Sequence, residues 1–452
     1  MRLSSSPWLR ASRVATFISV AALATAGAQQ LNTSAAAAGV GGNFTARARG
    51  YDAVAWNPAN LGLPGNPAFS LTILPVAASF TLDPITLGDI KSVQNQKAPN
   101  TVPRATRQAW LDKVTAAGGE TGTPSGGTNV ALSAGPFAFQ VGVTAFGAVK
   151  LNPDAVQAIL FGNVAPDGSI RTLSFQNSKY NAGAVTTAAL SYGHAFGERR
   201  EGSGILSFGA TVKAIGGNAV SIGQDAGSKI NANGGTIAFP SVGTRTDQDC
   251  KDDSGQIKAG CTPMTGPGGG FSGNGFGADL GVSWLRDKVS FSAAIQNVFN
   301  TFSWDESLMA YRPGSGQFDV SGDTTNFDEQ AFANAPSSLK SAISNYKFKP
   351  TILAGLAYEW RKDVTLSADV RQQMAGDDAI VIGPKTSLGA GVEYRGIPTL
   401  SLRGGANYIT GGSAFSFGAG FRFGHYELGG AIALQQGDNK GTSVFVNLLS
   451  IR

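Results

Sequence analysis

The last hundred residues of the chain, Lys349 to Arg452, alternate almost without interruption. Ile352, Ala354, Leu356, Tyr358 and Trp360 point one way, and Gly355, Ala357 and Glu359 the other. The same alternation sets Leu388, Ala390, Val392 and Tyr394 against Gly389, Gly391 and Glu393. It sets Phe415, Phe417, Phe421 and Phe423 against Ser416, Gly418, Gly420 and Arg422. A period of two is the signature of a β-strand. One face is apolar throughout. The other is small or charged, with Glu359, Asp369, Arg371, Glu393, Arg403, Arg422 and Glu427. Strands of about ten residues joined by tight turns, apolar on one side and polar on the other, predict a transmembrane β-barrel with lipid outside and a polar lumen. Only a closed barrel lets strands satisfy every backbone group in lipid.

The rest of the chain extends the pattern. Strands are expected at Phe69–Phe80, Thr128–Ala134, Phe137–Val149, Val185–Phe196, Ile205–Ile215, Phe276–Leu285 and Val289–Phe299. With seven more from Lys349–Arg452, the fold class is an all-β transmembrane antiparallel barrel of about fourteen strands, an even number. Connections such as Gly135-Pro136, Arg286–Lys288 and Arg361-Lys362 are short, whereas Thr81–Gly127, Lys150–Gly183, Gly216–Gly275 and Asn300–Phe348 are long. Short periplasmic turns and long outer loops are the rule for such barrels. Phe196, Trp284, Trp360, Tyr394, Phe423 and Tyr426 stand beside the short turns, as an interfacial girdle would.

Three stretches of the long loops carry helical spacing: Pro103–Ala117 with Trp110, Leu111 and Val114; Asn152–Gly162 with Val156, Ile159 and Leu160; and Asp328–Tyr346 with Phe332, Leu339 and Ile343. Short amphipathic helices over the outer mouth follow. Their apolar faces either form a capture site for a hydrophobic solute or pack on one another.

Composition adds less. Of 452 residues, 42% are hydrophobic and 14% charged, and no apolar run is long enough for a spanning helix. Arg2, Arg10 and Arg13, an apolar stretch Val14–Ala24 and the small residues Ala26-Gly27-Ala28 read as a secretory signal over residues 1–28. Those three arginines account for most of the net charge of +5, so the basic balance argues for no anionic partner. Cys250 and Cys261 share a loop rich in Gly, Asp and Lys, and in an exported chain they are expected as a disulfide. His194 and His425 lie at strand ends, where an interfacial role outweighs metal binding or base catalysis. No nucleophile–histidine pairing, metal cluster, cofactor motif or nucleic-acid motif is legible, so the expectation is not an enzyme, with catalytic and metal sites both none.

Residues 29–67 precede the barrel. Arg47, Arg49, Asp52 and Asn57 would put charge or amide on both faces of a strand there, and Pro58 lacks a ladder donor. Tyr51, Val54, Trp56 and Leu61 nevertheless seek burial. A segment tucked into the lumen reconciles the two, with Arg47 and Arg49 reaching for Glu359, Asp369 or Glu393 on the wall.

The phrase Ala53-Val-Ala-Trp-Asn-Pro-Ala-Asn-Leu resembles the asparagine-proline-alanine signature in the amino-terminal plug of FadL-type outer-membrane channels. The phrases beginning at Leu151 and Gly277 look more like the uncharacterised and conjugation-associated relatives of that barrel. The resemblance implies a fourteen-strand barrel in the bacterial outer membrane, with a hatch at Asn57, Pro58 and Ala59. It also implies passive uptake of a hydrophobic, fatty-acid-like small molecule. Its alternative is a PorV-type partner protein that does not transport and binds another protein at its outer loops. The expected partners are membrane lipid, a hydrophobic ligand and, in the alternative, a protein. The carboxy terminus departs from many such barrels: Leu448-Leu-Ser-Ile-Arg452 ends without an aromatic residue.

Overall fold

The structure, a computed structural model, describes residues 33–94, 102–165, 168–197, 204–245, 256, 270–319, 322–376, 379–438 and 440–451. Fourteen of the described strands form one antiparallel ring. In chain order they are β1 (Phe69–Asp83), β2 (Glu120–Ala134), β3 (Phe137–Leu151), β4 (Lys179–Phe196), β5 (Ile205–Gln224), β6 (Gly273–Arg286) and β7 (Val289–Asn300). The second half comprises β8 (Thr351–Arg361), β9 (Val364–Gln373), β10 (Thr386–Ile397), β11 (Leu400–Ile409), β12 (Gly412–Phe423), β13 (Tyr426–Gly437) and β14 (Lys440–Ile451). Each pairs with its predecessor. The ring closes where β14 returns to β1, with Leu71 opposite Ile451 and Leu82 opposite Lys440. The fold is a closed β-barrel, and among the described residues no helix is long and apolar enough to cross a membrane.

The alternation in the sequence sets which face is which. Phe417, Leu402, Leu388 and Val212 are exposed on the outside, whereas Ser416, Ser401, Thr211 and Lys213 are buried inside. A belt of exposed apolar side chains on a barrel is unfavourable in water and suits hydrocarbon. Phe196, Trp360, Tyr394, Phe423 and Tyr426 are exposed at the end carrying the short turns, and Trp284 is half-buried there.

The wall differs from the sequence expectation in its height. β1 to β5 run 15 to 20 residues, well past the apolar belt. The added stretch of β2, Glu120–Gly127, holds Gly, Thr, Ser and Pro and has no alternation to show. Its backbone still pairs with β1 and β3 from Thr121 onward, so the ladder continues without a side-chain signal.

The mouth at the tall end is covered by the long connections. Helices α3 (Leu87–Gln94) and α4 (Arg104–Ala117) follow β1, α5 (Pro153–Phe161) follows β3, and α6 (Ser337–Asn345) precedes β8. Part of the expected helix Asp328–Tyr346 is instead a short 3-10 turn at Phe332–Asn334, because Pro336 stops a single helix from running through. A five-stranded sheet built from Leu173–Ser174, Lys229–Asn231, Gly234–Ala238, Ser315–Asp319 and Gly322–Asn326 stands beyond the ring. Below the cap the lumen is filled by residues 33–66, with helices α1 (Ala35–Gly39) and α2 (Ala53–Trp56) and 3-10 turns at Gly50–Asp52 and Pro58–Gly62. Helix α1, capped by the Ser34 side chain, packs on β12 and β13. Its Ala-rich sequence reads as a linker until a wall is placed against it.

Candidate functional site

The plug is held chiefly by amides and hydroxyls. Asn57 and Asn60 flank Pro58-Ala59 and are both fully buried. Asn57 caps the following turn, its side-chain oxygen accepting from the Ala59 amide at 3.0 Å. Its Nδ2 donates to the carbonyls of Val282 and Ala293 and to Ser283 Oγ at 3.1–3.2 Å. Asn60 Nδ2 donates to Thr45 O, and its Oδ1 accepts from Ser283 and Ser292. The carbonyl of Ala59 accepts from Ser207 Oγ at 2.6 Å, and that of Ala55 from Gln296 Nε2 at 2.8 Å. The polar groups of this turn thus find partners on β5, β6 and β7, as buried polar groups must.

Glycines make room for this contact. A Cβ at Gly209 would collide with the Pro58–Ala59 backbone, and one at Gly418 would stand 2.8 Å from Gly39 Cα. At Gly405 it would lie 2.5 Å from Gly41 N. The small inner-face residues are the seats on which the plug backbone rests.

The arginines behave differently from each other. Arg47 pairs with Glu393, which also holds Arg403 at 2.7 Å and Arg395 at 2.9 Å; Arg403 bridges on to Glu427 at 2.9 Å. Arg49 makes no wall ion pair among the described residues. Its guanidinium donates to Ala46 O and Ala48 O in the plug itself. Among the described residues, Asp369 makes no ion pair with an arginine. It accepts the Phe44 and Thr45 amides at 2.9 and 2.7 Å, so the wall carboxylate caps plug backbone. Glu359 is exposed near the short-turn end.

The expected outer capture residues fall into two groups that do not meet. Trp110, Leu111 and Val114 of α4 are buried where α4 packs on α5, while Leu160 is half-buried and Ile159 is 71% exposed. Phe332, Leu339 and Ile343 belong to the apolar cluster that fills the mouth with Phe302, Trp304, Met309 and Tyr346. They are packed against each other because each loop has one apolar stripe and the stripes share one mouth. Cys250 and Cys261 lie outside the described residues. His194 is exposed beside Tyr192 and Phe196, its Nδ1 3.4 Å from the Tyr192 hydroxyl, and His425 is exposed in a turn.

Below the mouth cluster is a cavity of about 30 Å³, lined by Val54 and Ala55 of α2 and by Val185, Lys213, Ile215 and Asn297 of the wall, with Phe348 and Ile382 from the loops. Sequence reasoning missed Lys213. Its Nζ lies 2.5 Å from Asp279 Oδ1 and 2.5 Å from Asn297 Oδ1, all three buried. Asn297 sits at a β-bulge with φ +52°, which turns its side chain toward the lumen. The alternation of Thr211 and Lys213 with Val212 carried the signal for Lys213, but nothing in sequence ties it to residues 66 and 84 positions away. A smaller cavity of about 10 Å³ shares Ala55 and Gln140 with the first and reaches Thr72 and Pro75 of β1. There Leu74 has φ +49° and the β1–β2 register shifts between Ile73 and Val76.

Similarity to solved structures follows the barrel. The toluene transporter TodX of Pseudomonas putida shares 14% identity over 95% of this chain and 97% of its own, with a TM-score of 0.45. The monoaromatic hydrocarbon channel CymD shares 12% over 94% and 98%, with a TM-score of 0.44. A FadL homologue of Pseudomonas aeruginosa shares 12% over 94% and 99%, with a TM-score of 0.45. No curated protein matches the chain. Residues 69–428, most of the barrel from its first strand to its thirteenth, match a family of unknown function, DUF5723, and the chain belongs to that family.

Proposed function

We propose that this protein is a bacterial outer-membrane channel for passive uptake of a hydrophobic small molecule, with residues 29–67 as the gate and residues 1–28 as the export signal. The observation that carries the reading is a mostly apolar column running from the mouth to the plug. Val185, Ile215 and Ile382 belong both to the mouth cluster and to the wall of the larger cavity, and that cavity ends on Val54 and Ala55 of the plug. A water-filled pore would line this route chiefly with charged and polar side chains, whereas Lys213 is the one charged group in the cavity wall.

In this state the route is closed, since a cavity of about 30 Å³ holds one water rather than a solute. Opening requires the plug to shift. From the larger cavity the shared residues Ala55 and Gln140 lead to the smaller one, and the interrupted ladder at Leu74-Pro75 offers a sideways exit through the wall.

Deleting Gly50–Leu61 tests the reading. In a planar bilayer the variant should conduct ions more strongly than the intact protein, and cells carrying it should lose selective uptake of a hydrophobic probe. Unchanged conductance would remove the gate. Raised conductance with uptake of every hydrophobic probe unaffected would favour the partner-protein alternative.

A further inference from the structure

The larger cavity carries one charged lining group, Lys213, which meets Asp279 and Asn297; the rest of its wall is apolar apart from Gln140, Thr144 and Thr187. A lysine ammonium carries three N–H donors. Two are engaged at 2.5 Å by Asp279 Oδ1 and Asn297 Oδ1, and the third is left for an acceptor arriving in the cavity. The charge of that ammonium is already matched. Asp279 is 1% exposed and bonded directly to it, and the same carboxylate oxygen accepts the Asn297 amide at 2.7 Å. A second carboxylate beside Lys213 would therefore sit against Asp279 in a region shielded from water, where like charges repel strongly. It would also be stripped of its own hydration with no unmatched cation to receive it.

We propose that the lumen site selects neutral amphiphiles, hydrocarbons bearing a single hydroxyl or carbonyl group, and turns away carboxylates, and that Asp279 sets this preference. The head group accepts a hydrogen bond from Lys213. The hydrocarbon tail lies toward Val185 and Ile215 and displaces the loop-borne side chains Phe348 and Ile382 above. The inference rests on the channel reading and narrows its substrate class away from fatty-acid anions.

The test is isothermal titration of the full-length protein in nanodiscs with 1-octanol and with octanoate, at a pH where octanoate is ionised, subtracting empty discs. The wild type should bind octanol at least about tenfold more tightly than octanoate. Asp279→Asn should tighten octanoate by about tenfold and leave octanol within about twofold, because it frees the Lys213 charge. Asn297→Asp, nearly isosteric, should move octanoate the other way and serves if the first variant does not fold. Octanoate binding as tightly as octanol in the wild type overturns the proposal. So does a folded Asp279→Asn protein with the wild-type ratio. If neither probe binds while deletion of Gly50–Leu61 still opens the pore, this inference falls and the channel reading stands. If neither binds and the deletion changes nothing, both fall.

Discussion

At the scale of residues, buried charge is placed where removing one partner has unequal effects. Glu393 is shared by Arg47, Arg395 and Arg403, whereas Arg47 is bonded only to Glu393 among the described ion pairs. Glu393→Gln leaves Arg47 and Arg403 buried beside a neutral group, and loss of one partner of a buried pair costs about 3–5 kcal/mol. Arg47→Met removes the plug's end and leaves Glu393 with two arginines, so it should cost clearly less. Heat-modifiability on gels ranks the two variants, and a larger loss for Arg47→Met would contradict the sharing. A second residue-scale case lies above the membrane belt. Glu120 opens β2 ten residues before Val130, the first exposed apolar side chain of that strand. Burial, together with Asp83 and Asp89, pushes its carboxyl up to about 7, against the Ile85 amide that bonds it. A carboxyl raised on folding favours the folded rim when protonated. That contribution is complete below the ordinary value of 4.5 and is lost as pH rises through about 7. Hydrogen exchange at residues 84–94 should therefore quicken between about pH 5 and pH 8, and Glu120→Gln should flatten the dependence. A wild-type profile that is already flat would show that this carboxyl does not hold the rim.

At the scale of elements, legibility tracked what each face touches. β8 to β14 could be read because lipid outside and plug inside impose opposite chemistry on successive residues, as in Phe415 to Phe423. The top of β2 contributes no side chain to the apolar mouth cluster and shows no exposed apolar residue, so Gly122, Ser125 and Gly126 pair without pattern. Helix α1 was hidden for a related reason: Ala35–Gly39 is small because it lies against Gly418 and Gly429, and smallness alone is also what a linker shows. The hatch turn was visible as an Asn-Pro-Ala phrase, but its partners Ser207, Ser283 and Gln296 were not, since serine on an inner face has many uses. The packing changes what an inner-face substitution should do. Leu402 faces lipid, and arginine there should cost about 2–4 kcal/mol and block insertion. Ser416 is not open lumen: its hydroxyl donates to Gly39 O at 3.2 Å beneath α1. Ser416→Arg should insert as a heat-modifiable barrel yet conduct more than the wild type, because the side chain lifts α1. If both variants fail to insert, the plug is required to form the barrel. Gly209→Ala, under Pro58-Ala59, should likewise raise conductance without preventing insertion.

At the scale of the whole molecule, the ring has two unlike ends, and that asymmetry sets the orientation to be tested. One end has turns of two residues, such as Lys362-Asp363 and Gly424-His425, ringed by exposed aromatic side chains. The other carries four helices and a separate five-stranded sheet. A chain inserted from the periplasm moves short turns across nothing and sends its long loops outward. Both the plug's connection at Phe69 and the last strand's end at Ile451 stand at the short-turn end, opposite each other's neighbours in the ladder. On the proposed channel reading, Asp287 is expected in the periplasm and Asp323, on the exposed edge strand of the outer sheet, outside the cell. A single cysteine at each position reads this directly, on a background with Cys250 and Cys261 changed to serine. With a membrane-impermeant maleimide, intact cells should label Asp323→Cys and not Asp287→Cys, and breaking the envelope should expose the second. Labelling of Asp287→Cys alone would invert the barrel, and a mouth facing inward could not capture a solute for uptake. The cap of Phe332, Leu339 and Ile343 would then close the exit rather than the way in.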